Sequence, residues 1–231
     1  MFDNYSVRLN AREKLRGNWW YAFLIALVYS LIAGAVNFSS NNNSVGNAGI
    51  EPLIDFGAAA ALIGIVGFVA TILLSGPMEF GFSYVWLSFN RGNPLEIGHL
   101  FYGFRGPVFG KAILLWFMRS LFILLWTLLF IIPGLIKSIS YSMAYYIQID
   151  NPEYGWNDCI KQSMDITSGF KLQLFVLSLS FIGWALLSIL TLGFGFFFLI
   201  PYMQVSMADF YERIKNRSDT YQQDSGYTYQ P

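Results

Sequence analysis

The sequence predicts an all-α, polytopic membrane protein: six transmembrane helices arranged as three hairpins, with interfacial amphipathic helices and proline-kinked even-numbered spans. Two observations predict it. The first is the placement of charge. Only 12% of the 231 residues are charged, against about 25% in a soluble domain. No Asp, Glu, Lys or Arg occurs from Gly17 to Ile50, from Phe56 to Met78, from Ser120 to Ile136, or from Leu172 to Ala208. One crossing takes about 20 apolar residues for roughly 30 Å of hydrocarbon, so the last stretch has room for two. A buried soluble helix imitates one such run, but hardly four. The second observation is a recurring unit: an amphipathic lead-in, an apolar span, a turn, and a return span interrupted by proline.

The first lead-in precedes Gly17. Val7, Ala11 and Leu15 line one face of a helix, and Arg8, Arg12 and Arg16 another, a pattern suited to the headgroup region. Ala33-Gly34-Ala35 has the small-x-small look of a signal cleavage site, but the charged segment before it is long and patterned as a helix. Residues 19–38 are therefore expected to be an uncleaved span. A turn over 37–55 leads to the return span, 62–89, interrupted by Pro77.

The second unit opens at "RGNPLE", with Asn93 as expected N-cap, Pro94 at the first helical position and Glu96 completing a capping box. Spans are expected at 110–126 and 128–149, with the turn at Trp126-Thr127 and a kink at Pro133-Gly134. The third opens at "IDNPE", where Asn151-Pro152 repeats the Asn-Pro step. Its lead-in carries Ile160, Met164 and Thr167 on one side and Asp158, Lys161 and Asp165 on another. Spans follow at 171–190 and 195–212, with a turn at 191–195 and a kink at Pro201.

A charged boundary arrives about 14–17 residues after each proline, at Arg91, Asp150 and Lys215. That is roughly 21–25 Å of helix, which puts each proline inside the membrane, nearer the far side. Residues 1–217 form one membrane domain; the Tyr- and Gln-rich tail, 218–231, is expected to be disordered and cytoplasmic. In this arrangement the positive charges outside the spans share one side, while the opposite side carries only Glu51 and Asp55. The positive-inside rule then places both termini in the cytoplasm of a multi-pass cell-membrane protein.

Four ionisable residues fall at membrane depth: Glu79, Arg119, Lys137 and Asp209. Each costs about 2.5–3.5 kcal/mol on insertion scales, so partners are expected. Superposing the repeats pairs Glu79 with Lys137 and, by depth, Arg119 with Asp209. Such pairs hold hairpins together, or they mark a polar site among kinked helices.

The motifs of enzymes are missing. There is no Gly-x-Ser-x-Gly elbow, no His-Glu-x-x-His helix and no Gly-x-x-x-x-Gly-Lys loop. Cys159 is the single cysteine and excludes an internal disulfide. His99 has no Cys or His at metal-ligand spacing. No catalytic residue, metal or cofactor is expected, and a net charge of zero gives no pull toward nucleic acid.

Several segments carry a resemblance: "LNAREKLRGNWWYAFLIALVYSLI", "LWTLLFIIPGLIKSISYSMAYYI", "DNPE" and "LSLSFIGWALLSILTLGFGFFFLIPYMQVSMADFYE". Over residues from about Leu9 to Glu212 the chain resembles the bacterial integral membrane family known as domain of unknown function 975. More distantly, its layout is similar to the membrane portion attached to some glycerophosphodiester phosphodiesterases, without their soluble catalytic domain. The resemblance implies a bacterial plasma membrane protein and no activity. The expectation is a non-enzymatic protein acting on membrane lipids or on a membrane or cytoplasmic protein partner in the cell envelope. The alternative is a transporter of a small solute or lipid through a polar site between kinked helices.

Overall fold

The computed structural model describes residues 3–41 and 56–225, and among them every regular element is helical. Most of the expected turn at 37–55, with Glu51 and Asp55, lies outside the described residues.

Helix α1 (Asn4–Leu15) starts at Asp3, whose carboxylate accepts a 3.0 Å hydrogen bond from the Tyr5 N–H. Its Val7, Ala11 and Leu15 are fully buried, but against protein rather than lipid: Ala11 and Leu15 share a cluster with Phe82, Val85 and Trp86. Gly17, at φ +91°, makes the turn that follows, a backbone conformation that favours glycine. Helix α2 (Trp19–Asn41) then leaves at 98° to α1.

Helix α3 (Phe56–Asn90) is the central element and packs on α2, α4 and α10. Pro77 lies inside it. The expected capping box at Asn93 does not form. Residues 93–96 carry no helix, and the Asn93 amide donates to the Ser88 hydroxyl instead. A 3-10 helix begins only at Ile97 and runs to Phe104. It lies against α3 backbone to backbone: a Cβ on Gly81 would strike the Leu100 carbonyl, and one on Gly103 would strike that of Pro77. This close seat holds together an eight-residue 3-10 run, which is long for its type.

Helix α4 (Gly106–Leu129) ends where Phe130 turns extended, and α5 (Ile131–Ser140) doubles back along it. The break is at Phe130, not at Trp126-Thr127. Pro133 therefore does not kink a helix interior. It sits in the first turn of α5, where a missing N–H costs nothing. Gly134 lets α5 close on α4, since a Cβ there would lie 2.8 Å from the Thr127 Cα. The segment 128–149 is also not one rod, because a turn at 141–143 separates α5 from α6 (Ala144–Asp150). These pieces of 10 and 7 residues span only about 15 and 10 Å.

Asn151-Pro152 likewise precedes its helix rather than starting it. Helix α7 (Trp156–Ile166) is capped at Gly155, whose N–H donates to the Asp158 carboxylate. Helices α8 (Lys171–Ser180) and α9 (Ile182–Leu190) meet at Phe181. Helix α10 (Phe196–Ser225) contains Pro201 and runs through the first part of the tail expected to be disordered. Once a helix is nucleated, each further residue adds a hydrogen bond; residues 226–231 lie outside the described ones. Among the described residues, two stretches can cross a membrane by length and composition, Gly106–Leu129 and Lys171–Leu190, and a third if the bent pair α1–α2 counts as one.

Candidate functional site

The four ionisable groups expected at membrane depth are all held, but not in the expected pairs. Glu79, two residues past Pro77 on α3, accepts a 2.9 Å hydrogen bond from Arg119 Nη1 on α4. The Tyr145 hydroxyl of α6 donates to the other oxygen at 3.4 Å. The guanidinium also lies 5.2 Å from the Tyr145 ring centre. Glu79–Lys137 and Arg119–Asp209 do not form. Matching depth between repeats mattered less than direct adjacency: α3 and α4 pack on each other, while α10 packs on α1, α2 and α3.

Lys137 on α5 is held by rings. Its Nζ stands 5.1 Å from the Trp126 ring and 5.8 Å from the Tyr141 ring, and donates to the Met164 sulfur at 3.7 Å. Each cation–π contact is worth about 0.5–2 kcal/mol, more as water is removed. Asp209 on α10 accepts from Arg213 Nε at 2.8 Å, one turn on, and Lys14 Nζ lies 3.8 Å away. Lys14 also donates to the backbone and side-chain oxygens of Asn90, and Arg213 to the Ser6 hydroxyl. Asp209 thus pins α1 onto α10 and the end of α3.

The largest ionic network was not foreseen. Asp150, at the end of α6, accepts from Arg91 past α3, and from Tyr211 and Lys215 on α10, at 2.6–2.9 Å. Arg91 reaches Glu212 as well, at 2.7 Å. Burial pushes the Asp150 carboxyl up, but the bonds from Lys215, Tyr211 and Arg91 outweigh it and hold the group below the usual carboxylate range. Arg91, Asp150 and Lys215 are the residues that the sequence places at the boundary after each proline. Their shared position was legible; their contact was not.

The opposite ends of the helices are apolar. Leu128, Ile131 and Ile132 at the α4–α5 turn are 70–83% exposed, and Leu190 and Leu192 at the α9–α10 turn are 80–92% exposed. Helix α10 joins the two kinds of end: from Phe196 to Lys215 it rises about 28 Å.

A cavity of about 380 Å³ opens between α1, α2, α9 and α10. Arg12, Trp19, Trp184, Phe198, Leu199 and Tyr202 are among its lining residues. A second, of about 590 Å³, lies beside Lys14, Asn18, Asn90 and Pro94. Neither reaches Glu79 or Lys137. Among the described residues no three His, Cys, Asp or Glu are placed to hold a metal ion. Cys159 is fully buried, and burial pushes its thiol up to about 12, which disfavours the thiolate.

The sequence profile of a protein family of unknown function, DUF975, matches residues 1–140 and 128–218. No curated protein and no solved structure matches the chain.

Proposed function

The chain belongs to the DUF975 family of proteins of unknown function, and from that premise we propose an integral plasma membrane protein with six crossings and both termini in the cytoplasm. It is non-enzymatic and works by contact with lipids or other proteins in the cell envelope. One observation carries the reading. Charge gathers where α3 and α6 end beside the Tyr211–Lys215 stretch of α10, around Asp150, while the turns at Leu128–Ile132 and Leu190–Phe194 are apolar and exposed. Water would penalise such turns, whereas hydrocarbon would not. An extramembrane ionic clasp at one end and apolar turns at the other support a bilayer orientation. Trp20 and Tyr21, both exposed where α2 begins, suit the aromatic belt beside the headgroups.

The ionisable groups support a structural role. Glu79 and Arg119 neutralise each other, and neither of the two cavities named above touches them.

Cysteine labelling in intact cells tests it. In a Cys159→Ser background, Ser6→Cys and Ser218→Cys should react only after the membrane is opened, and Ser44→Cys from outside without opening it. Termini on opposite faces, or a chain recovered in the soluble fraction, would refute the proposal.

A further inference from the structure

The cavity between α1, α2, α9 and α10 is apolar along its length and cationic at one mouth. Trp184 and Leu187 of α9 form one wall, and Phe198, Leu199 and Tyr202 of α10 another. The Ser188 and Thr191 hydroxyls along it are turned to the protein's own backbone: Ser188 donates to the Trp184 carbonyl and Thr191 to that of Ser188, while the Thr191 oxygen accepts from the Gly195 N–H. They offer a ligand little polarity. Arg12 supplies the charge at the mouth. Among the described residues neither Arg12 nor Arg8, one turn earlier, has a carboxylate partner, and the Arg8 Nε is buried without a hydrogen bond. Lys14, the third basic group on α1, is by contrast engaged with Asn90 and Asp209. Arg12 precedes the 98° elbow into α2, with Trp19 just beyond it. From Arg12 the apolar walls run toward the α9–α10 turn, where Thr191 and Gly195 line the slot.

We infer that this slot binds one anionic glycerophospholipid, its phosphate on Arg12 with Arg8 behind, and an acyl chain along Phe198, Leu199 and Trp184. The complementarity is of charge at the mouth and of hydrocarbon below. A volume of about 380 Å³ takes part of a chain, and the rest stays in the bilayer through the half-open side. The inference rests on the membrane reading above and gives it a ligand and a site.

The test uses the full chain purified in a mild detergent and examined by native mass spectrometry after adding phosphatidylglycerol or phosphatidylcholine. The wild type should retain one phosphatidylglycerol, with about tenfold preference over phosphatidylcholine. Arg12→Gln should remove the preference, Arg16→Gln should keep it, and Leu187→Trp, which fills the slot, should lower retention of both lipids. Circular dichroism and melting temperature confirm that each variant is folded. Equal losses in Arg12→Gln and Arg16→Gln would mean diffuse attraction and overturn the site. So would full retention in Leu187→Trp, displacement of the lipid by millimolar inorganic phosphate, or a dimer that excludes lipid. A chain that stays soluble without detergent would instead refute the membrane reading itself.

Discussion

The Arg119 guanidinium stands 2.9 Å from the Glu79 carboxylate, across a separation of 40 residues. This contact ties α4 to α3 beside Pro77. Removing one partner strands the other, at a cost of about 3–5 kcal/mol when the pair is buried. Here the side chains are only partly covered, so about 2–3 kcal/mol is expected. Glu79→Gln and Arg119→Met should each lower melting temperature and accumulation. The swap Glu79→Arg with Arg119→Glu should recover a good part of both. A swap between Glu79 and Lys137 should recover nothing, because Lys137 rests on Trp126 and Tyr141. Accumulation in membranes and thermal unfolding of the purified variants check both.

Asp150 gives a pH dependence. Its folded-state carboxyl is held below the usual carboxylate range. The folded state therefore binds that proton less readily than the unfolded chain does. The contribution is complete above the ordinary carboxylate range, about pH 4, and is lost as pH falls through it toward the depressed folded value. Unfolding in detergent between pH 7 and pH 3 should show a steep acid limb that Asp150→Asn flattens. An unchanged limb would mean that other carboxylates govern it.

Two glycines permit close approach of the helices. A Cβ on Gly134 would meet the Thr127 Cα at 2.8 Å, and one on Gly195 the Ser188 Cα at 2.7 Å. Gly183 has open space around it. Gly134→Ala and Gly195→Ala should each destabilise the protein by about 1–3 kcal/mol through overpacking. Gly183→Ala should be neutral or slightly stabilising. Thermal unfolding of the three variants side by side reads the difference.

Gln148 is 1% exposed, and neither its amide nitrogen nor its oxygen has a partner. Leaving such groups unpaired costs about 1–3 kcal/mol, and an apolar replacement of similar shape removes that cost. Gln148→Met should raise the melting temperature. A lower value would show that the amide is satisfied by water held in the folded protein.

The sequence alone established the helical class and the apolar segments, because charge is cheap in water and costly in oil. It marked the buried face of α1 through the spacing of Val7, Ala11 and Leu15, since helical periodicity is local. It also set Arg91, Asp150 and Lys215 at equivalent boundaries after their prolines. What lies against each face was decided only in three dimensions. The face of α1 packs on Phe82 and Trp86, and Asp150 collects Arg91 and Lys215. Glu79 takes Arg119 rather than Lys137. Pro133 opens a helix rather than bending one, because Phe130 extends before it and Gly134 seats against Thr127. Partner choice of this kind depends on which helices touch, and spacing along one chain does not encode adjacency between helices.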